Sequence, residues 1–168
     1  DDNPTWDFGL PVETPDINTY LYIQMQALME MATNLGKNED AQLWKTRAQI
    51  LLDAMLHFSW DEEKGLFQAL YQEKPLNVLT PLNLYPLWTG ALPADMVEKL
   101  VAHLNDPAEF GGDVIIPSVA RCDPTFDADC MWRGPVWANI NYFFIEALQK
   151  NEKKALAVKL RDKTLALI

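Results

Sequence analysis

The chain has 168 residues, 49% of them hydrophobic, and a formal net charge of −10. That length and apolar content suffice for one domain with a buried core, whereas nucleic acid is excluded as a partner because no basic stripe could neutralise phosphates. The sequence contains no apolar run of about 18 residues and no basic segment followed by an apolar one. We therefore expect no membrane span, and a leader ahead of Asp1 is left open.

Hydrophobic periodicity predicts a pair of long helices in the first third of the chain. After Pro15, Asp16 is a candidate N-cap, and apolar residues at helical spacing continue to Gly36. Asn38 is a candidate cap for a second helix over residues 39–57. The short connection predicts an antiparallel helix hairpin.

Further helices are predicted beyond a turn at Gly65, which a short extended stretch accompanies. They cover residues 81–88, 93–106, 135–150 and 152–168. Pro86 interrupts the first of them. About three hairpins with long loops at one end indicate an all-α toroid or solenoid. The last helix reaches the chain end without a cap, so we expect a domain cut from a longer one.

Three loops concentrate aromatic and charged side chains: "DDNPTWD" (1–7), "WDEEKGLF" (60–67) and "RCDPTFDADCMWRGPVW" (121–137). Tryptophan rings stack on sugars while Asp and Arg bind hydroxyls, so this composition favours a carbohydrate cleft. Glycosidic cleavage requires two carboxyl groups. The candidates by residue type are Asp1, Asp2, Asp7, Asp123, Asp127 and Asp129.

Structural roles compete with this interpretation. Asp7 and Asp16 are also good caps, "DPTF" is an ordinary Asp-Pro turn, and Trp132 and Trp137 are also typical of core aromatics. Arg133, which precedes a Gly-Pro pair at a helix start, is harder to explain in this way, because a buried guanidinium needs an anionic or hydroxyl-rich partner.

The two cysteines, Cys122 and Cys130, close the segment "CDPTFDADC". A short-range disulfide fits that spacing and would favour a periplasmic or secreted protein over a cytoplasmic one, although free thiols are equally consistent with two cysteines. A metal site is not expected, because neither cysteine belongs to a CxxC pair and both histidines, His57 and His103, lie in helical patterns away from this loop.

Several segments resemble those of family 63 glycoside hydrolases, which include processing α-glucosidases and mannosylglycerate hydrolases. They are "DDNPTWD", "IIPSVARCDPTF", "MWRGPVWANINYFF" and, between them, "NLYPLWTGALPADMVEKLVAHLNDPAEFGG". The resemblance covers essentially the whole chain in order. It implies an (α/α)6 toroid whose active site lies where the long loops converge, a carbohydrate substrate and no cofactor.

The resemblance also assigns roles to individual residues. Asp2 matches the aspartate that acts as general acid, although the serine common before Pro4 is absent, and Met131 replaces a common tyrosine. The implied substrate-binding residues are Asn3, Trp6, Asp7, Trp132, Arg133 and Gly134.

The implied reaction is inverting hydrolysis of an α-glucosidic or α-mannosidic bond, with the general base on a glutamate beyond the last helix. Glu146 and Glu152 lie in helical patterns and are poor substitutes. We therefore expect residues 1–168 to form part of one catalytic domain, truncated at both ends, inactive alone and able to associate through exposed apolar helix faces. The alternatives are a trehalase-like or debranching-type α-glucosidase, or a non-catalytic carbohydrate-binding helical scaffold.

Overall fold

The computed structural model describes residues 2–112 and 115–167. Its first two long helices, α1 (Pro15–Asn34) and α2 (Asn38–Phe58), form the predicted hairpin. Gly36 permits the tight connection because its φ of 70° lies in the left-handed region that favours glycine. The hairpin is held by a small apolar cluster that includes Tyr22 and Leu52.

Both predicted caps of this hairpin were one residue or more out of place. Thr14 precedes the first turn of α1, which starts at Pro15. Asp16 therefore lies inside the helix, where its charge still suits the positive end of the helix dipole. Asn38 is likewise the first residue of α2, not its cap.

Small antiparallel strands connect distant parts of the chain. Strands β1 (Val12–Glu13), β4 (Leu70–Tyr71) and β5 (Lys74–Pro75) form one sheet in the order β1-β4-β5, while β2 (Trp60–Asp61) pairs with β3 (Leu66–Phe67). The extended stretch beside Gly65 is thus confirmed. The pairing of β1 with β4 fastens the segment after residue 7 to the middle of the chain.

A 3₁₀ helix (Pro81–Thr89) takes the place of the predicted short helix and passes through Pro86. Thr80 and Asn83 close its first turn as a capping box. The next helix, α3 (Ala94–Asn105), contacts this 3₁₀ helix and β3 and is not paired with a neighbouring α-helix as a hairpin. The described chain therefore contains two α-hairpins where about three were predicted.

The second hairpin consists of α4 (Ala138–Lys150) and α5 (Lys154–Leu165). Helix α4 starts later than predicted because Val136 forms an extended bridge with Pro117. Both hairpins contact the central 3₁₀ helix, where Tyr85 meets Tyr20 of α1 and Phe144 of α4 edge to face. Between residues 2 and 167, outside the gap, no helix is long and apolar enough to cross a membrane.

Candidate active site

The acidic loop, residues 2–7, is shaped by a short 3₁₀ helix, Pro4–Phe8. The side chain of Asn3 caps it, because Oδ1 accepts the backbone N–H of Thr5 at 3.0 Å. Asn3 is itself only 5% exposed. This cap leaves Trp6 half-buried and Asp7 exposed on one side of the turn. The buried side chain of Asn3, a predicted substrate-binding residue, thus stabilises the turn of this loop.

The arginine loop, residues 127–134, is closed by its own backbone. Asp127 donates its N–H to the carbonyl oxygen of Arg133 at 3.0 Å, and Arg133 donates to that of Cys130 at the same distance. A Cβ on Gly134 would lie 2.4 Å from the carbonyl oxygen of Asp127, so the backbone approaches too closely for a side chain. Gly134 is required to close this loop.

The two loops meet through polar contacts that span most of the chain. The backbone N–H of Trp132 donates to Oδ1 of Asp2 at 3.1 Å. One guanidinium nitrogen of Arg133, Nη2, donates to both carboxylate oxygens of Asp7, at 2.9 and 2.8 Å. The anionic partner that the sequence required for Arg133 is therefore Asp7, and four of the predicted residues form one cluster.

Charges in this cluster support one another. Hydrogen bonding to the Asp7 carboxylate raises the pKa of the Arg133 guanidinium. The N–H of Asp129, followed by the thiol of Cys130, lowers the pKa of the Asp127 carboxyl, and this interaction in turn raises the pKa of the Cys130 thiol. At neutral pH the arginine loop is consequently held by an ionised Asp127.

An aromatic pair borders the cluster. The indole rings of Trp132 and Trp137 stack with centroids 4.2 Å apart and planes inclined by 9°. The indole N–H of Trp137 donates to the carbonyl oxygen of Met131 at 3.0 Å, which fixes the orientation of the Trp137 ring. Both rings also border the hydrophobic core. The spacing of Trp137 from Trp132 is equally typical of core aromatics, so the sequence does not indicate the stack.

Asp123 is not an acid–base candidate. It is 9% exposed, and its Oδ2 accepts the N–H of Leu79 at 2.7 Å, while Oδ1 accepts the N–H and hydroxyl of Thr125. These bonds tie the loop before the cluster to the 3₁₀ helix region, so the ordinary turn interpretation of "DPTF" is correct here. Asp1 lies outside the described residues.

The late glutamates are also engaged elsewhere. Glu146 accepts hydrogen bonds from the hydroxyl of Tyr142 at 2.6 Å and the indole N–H of Trp88 at 3.2 Å. Glu152 pairs with Lys154 at 2.9 Å. Neither glutamate takes part in the contacts that join Asp2 to Trp132 and Asp7 to Arg133.

Of the two alternatives that the sequence left open for Cys122 and Cys130, a disulfide or free thiols, the structure has free thiols. The two thiols have different neighbours. The Cys130 thiol donates to Asp127 inside the arginine loop, whereas Cys122 is exposed beside Glu109. No set of three metal-ligating side chains converges in the parts of the chain that the structure covers.

Comparison with known proteins gives the class of fold and then the family. The crystal structure of family 63 mannosylglycerate hydrolase from Thermus thermophilus in complex with glucose superposes with a TM-score of 0.78 at 26% identity, over 93% of this chain and 39% of that one. The helix-rich fold is therefore that of the helical-toroid glycoside hydrolases.

The chain belongs to the mannosylglycerate hydrolase MGH1-like glycoside hydrolase domain family, whose model matches residues 1–168. A mannosylglycerate hydrolase of Thermus thermophilus is 32% identical over 74% of this chain and 29% of its own length. A probable mannosyl-oligosaccharide glucosidase of Schizosaccharomyces pombe is 27% identical over 81% of this chain and 18% of its own length. The chain thus spans about a third or less of these curated relatives.

Proposed function

We propose that residues 2–7 and 127–137 form the acid half of the active site of an inverting hydrolase that cleaves α-glucosidic or α-mannosidic bonds. The observation that carries this proposal is the contact between Asp2 and Trp132, 3.1 Å between atoms 130 residues apart in sequence. It joins a carboxyl group, an arginine and an aromatic pair at one place. Those are the groups that sugar binding and acid catalysis require.

Asp2 is the proposed proton donor. Its Oδ1 is occupied by the N–H of Trp132, while Oδ2 has no hydrogen-bond partner within the described chain and is available to carry the proton. In the reaction the protonated carboxyl transfers its proton to the glycosidic oxygen as the bond to the anomeric carbon breaks. Water attacks that carbon from the opposite face and gives its proton to a base roughly 6.5–9.5 Å from Asp2.

Substrate contacts are proposed for the residues around this donor. Arg133, oriented by Asp7, presents its remaining N–H groups to sugar hydroxyls. Trp132 offers one ring face, since Trp137 covers the other. Trp6 lies in the acidic loop and Gly134 in the arginine loop, and the cap formed by Asn3 shapes the turn that contains Trp6. The names of the relatives, mannosylglycerate hydrolase and mannosyl-oligosaccharide glucosidase, support mannosides and glucosides as substrates.

The base is proposed to be a glutamate outside residues 1–168, so the test uses the full-length protein that contains them. Asp2→Asn retains an acceptor for the N–H of Trp132 and should fold normally. It should nevertheless lower kcat on an alkyl α-glycoside by about 10²- to 10⁴-fold. A glycoside with an acidic phenol as leaving group, which needs little protonation, should lose much less.

Asp1→Asn is the matched control and should keep its activity. Loss in Asp1→Asn with retention in Asp2→Asn would move the role of acid to Asp1. Saturable sugar binding without turnover in the unaltered full-length protein would instead favour a non-catalytic carbohydrate-binding scaffold. Product anomers followed by NMR during hydrolysis test inversion, because a retained anomer contradicts it.

We also propose that the exposed apolar side of α1 is covered by further helices or by a second copy of the chain. Ile17, Leu21 and Met31 lie on this side and are 50%, 39% and 59% exposed. Such a stripe is typical of a helix that contacts another helix. Sedimentation of the 168-residue chain should show association that Leu21→Glu reduces. A monomer at all concentrations would contradict association of the isolated chain.

A further inference from the structure

Ile116 has an unusual backbone conformation for its residue type. Its φ is 52°, in the left-handed region. A β-branched side chain is disfavoured there, and the residue before a proline, as Ile116 is before Pro117, is further restricted. Ile116 is nevertheless 1% exposed and packed in the main hydrophobic core. Packing of the Ile116 side chain in the core therefore stabilises a left-handed backbone conformation that isoleucine would otherwise avoid.

The turn at Ile116 directs the following residues toward the arginine loop. Pro117 forms an antiparallel bridge with Val136, and the N–H of Ser118 donates to the carbonyl oxygen of Pro135 at 3.1 Å. On the other side, Ile116 itself donates its N–H to the carbonyl oxygen of Phe110 at 3.0 Å. The backbone of residues 116–118 thus supports residues 135–136, which directly follow the arginine loop.

We propose that Ile116 is a positioning residue for the arginine loop. Its buried side chain anchors the left-handed turn, and the turn keeps Pro117 against Val136. In an extended conformation at residue 116 the chain direction would change and this support would be lost. Arg133 and the N–H of Trp132 would then no longer be held toward Asp7 and Asp2. This role rests on the proposed function only in that the arginine loop is taken to bind substrate. The experiment that tests it measures opening of the loop and involves no hydrolysis.

Alanine and glycine at residue 116 separate conformation from packing, since both remove nearly the whole side chain. Glycine adopts a positive φ without strain, whereas alanine does not. Cys130 reports on the loop, because its thiol is bonded to Asp127. In a Cys122→Ser background, the rate of Cys130 modification by an aromatic disulfide at low urea measures opening of the arginine loop.

We expect Ile116→Ala to be modified roughly 5- to 30-fold faster than Ile116→Gly, the ratio that corresponds to the cost of a left-handed alanine. Ile116→Val, which keeps the buried branched side chain, should remain close to the unaltered protein. The increase in the rate of Cys130 modification in Ile116→Ala should depend little on the urea concentration. Local opening of a loop has this weak dependence, whereas global unfolding depends strongly on urea.

Leu100 of α3 provides the control, because it is 0% exposed in the same core but has an ordinary helical position. Leu100→Gly should lower the global stability more than Leu100→Ala does, because glycine has the lower helix propensity. Neither variant should change the rate of Cys130 modification at low urea. The proposal is overturned if Ile116→Ala is modified no faster than Ile116→Gly, or if Leu100→Ala accelerates modification as much as Ile116→Ala does.

Discussion

Gly134 allows a sharp test of how the arginine loop is built. Its φ is not positive, so Gly134→Ala introduces no conformational penalty, and its added Cβ would lie 2.4 Å from the carbonyl oxygen of Asp127. Ordinary contact requires the backbone at Asp127 to move by about 1 Å. That movement weakens the bond between the N–H of Asp127 and the carbonyl of Arg133.

Overpacking against backbone costs about 1–3 kcal/mol and a weakened hydrogen bond adds about 1 kcal/mol or less. We therefore expect Gly134→Ala to lower the free energy of unfolding by about 2 kcal/mol, which corresponds to a decrease in Tm of roughly 4–8 °C for a domain of this size. Urea unfolding and calorimetry measure both quantities.

Gly36→Ala is the matched control, because an added Cβ there meets no atom within 4 Å. Its cost is conformational, since the φ of 70° at residue 36 is unfavourable for alanine. It should destabilise the fold without affecting Cys130, whereas Gly134→Ala should also accelerate Cys130 modification. An unchanged Tm in Gly134→Ala, or equal modification of Cys130 in the two variants, would refute the close approach of residues 127 and 134.

Three further predictions follow from charges. A double-mutant cycle of Asp7→Asn and Arg133→Gln should give a coupling of about 0.2–1 kcal/mol that decreases with salt, and a salt-independent value would contradict an exposed ion pair. The pKa of the Asp127 carboxyl lies below its usual 3.8, so the contribution of Asp127 to the order of the loop is complete above pH 3.8 and is lost as the pH falls through the lower folded-state pKa. Acid should therefore accelerate the modification of Cys130 by dipyridyl disulfide. Asp127→Asn should remove this pH dependence. Burial raises the pKa of the Tyr85 hydroxyl far above its usual 10.0, so the stability that neutral Tyr85 confers is complete below pH 10.0 and is lost as the pH rises further. Alkaline absorbance titration should show Tyr85 ionising only on unfolding. A Tyr85→Phe variant with unchanged alkaline unfolding would contradict this.

Periodicity predicted the elements that a single stripe of apolar residues defines. Helices α1 and α2 are confirmed to within two residues because their stripes are long and Gly36 ends the first one. Helix α4 was predicted too early, since the bridge between Val136 and Pro117 is a long-range contact with no local signal. The pairing of β1 with β4 was missed for the same reason, because two-residue strands have no readable alternation.

The candidate site was predicted in composition but not in geometry. Clustered Asp, Trp and Arg singled out three loops, and the contact of Asp2 with Trp132 brings the first and the last of them together. The partner of Arg133 could not be chosen among several acids, because side-chain direction depends on the cap formed by Asn3. Spacing left open whether Cys122 and Cys130 pair, because it does not specify where two thiols point, and the structure has both as free thiols.

The bond between Asp2 and Trp132 has a consequence for folding order. Each helix hairpin closes over a short connection and can form early, whereas a contact across 130 residues requires nearly the whole chain to be in place. The candidate active site should therefore assemble last. Partly folded forms would contain helix but no paired loops, so the Cys130 thiol would become protected only after helical circular dichroism has fully recovered during refolding.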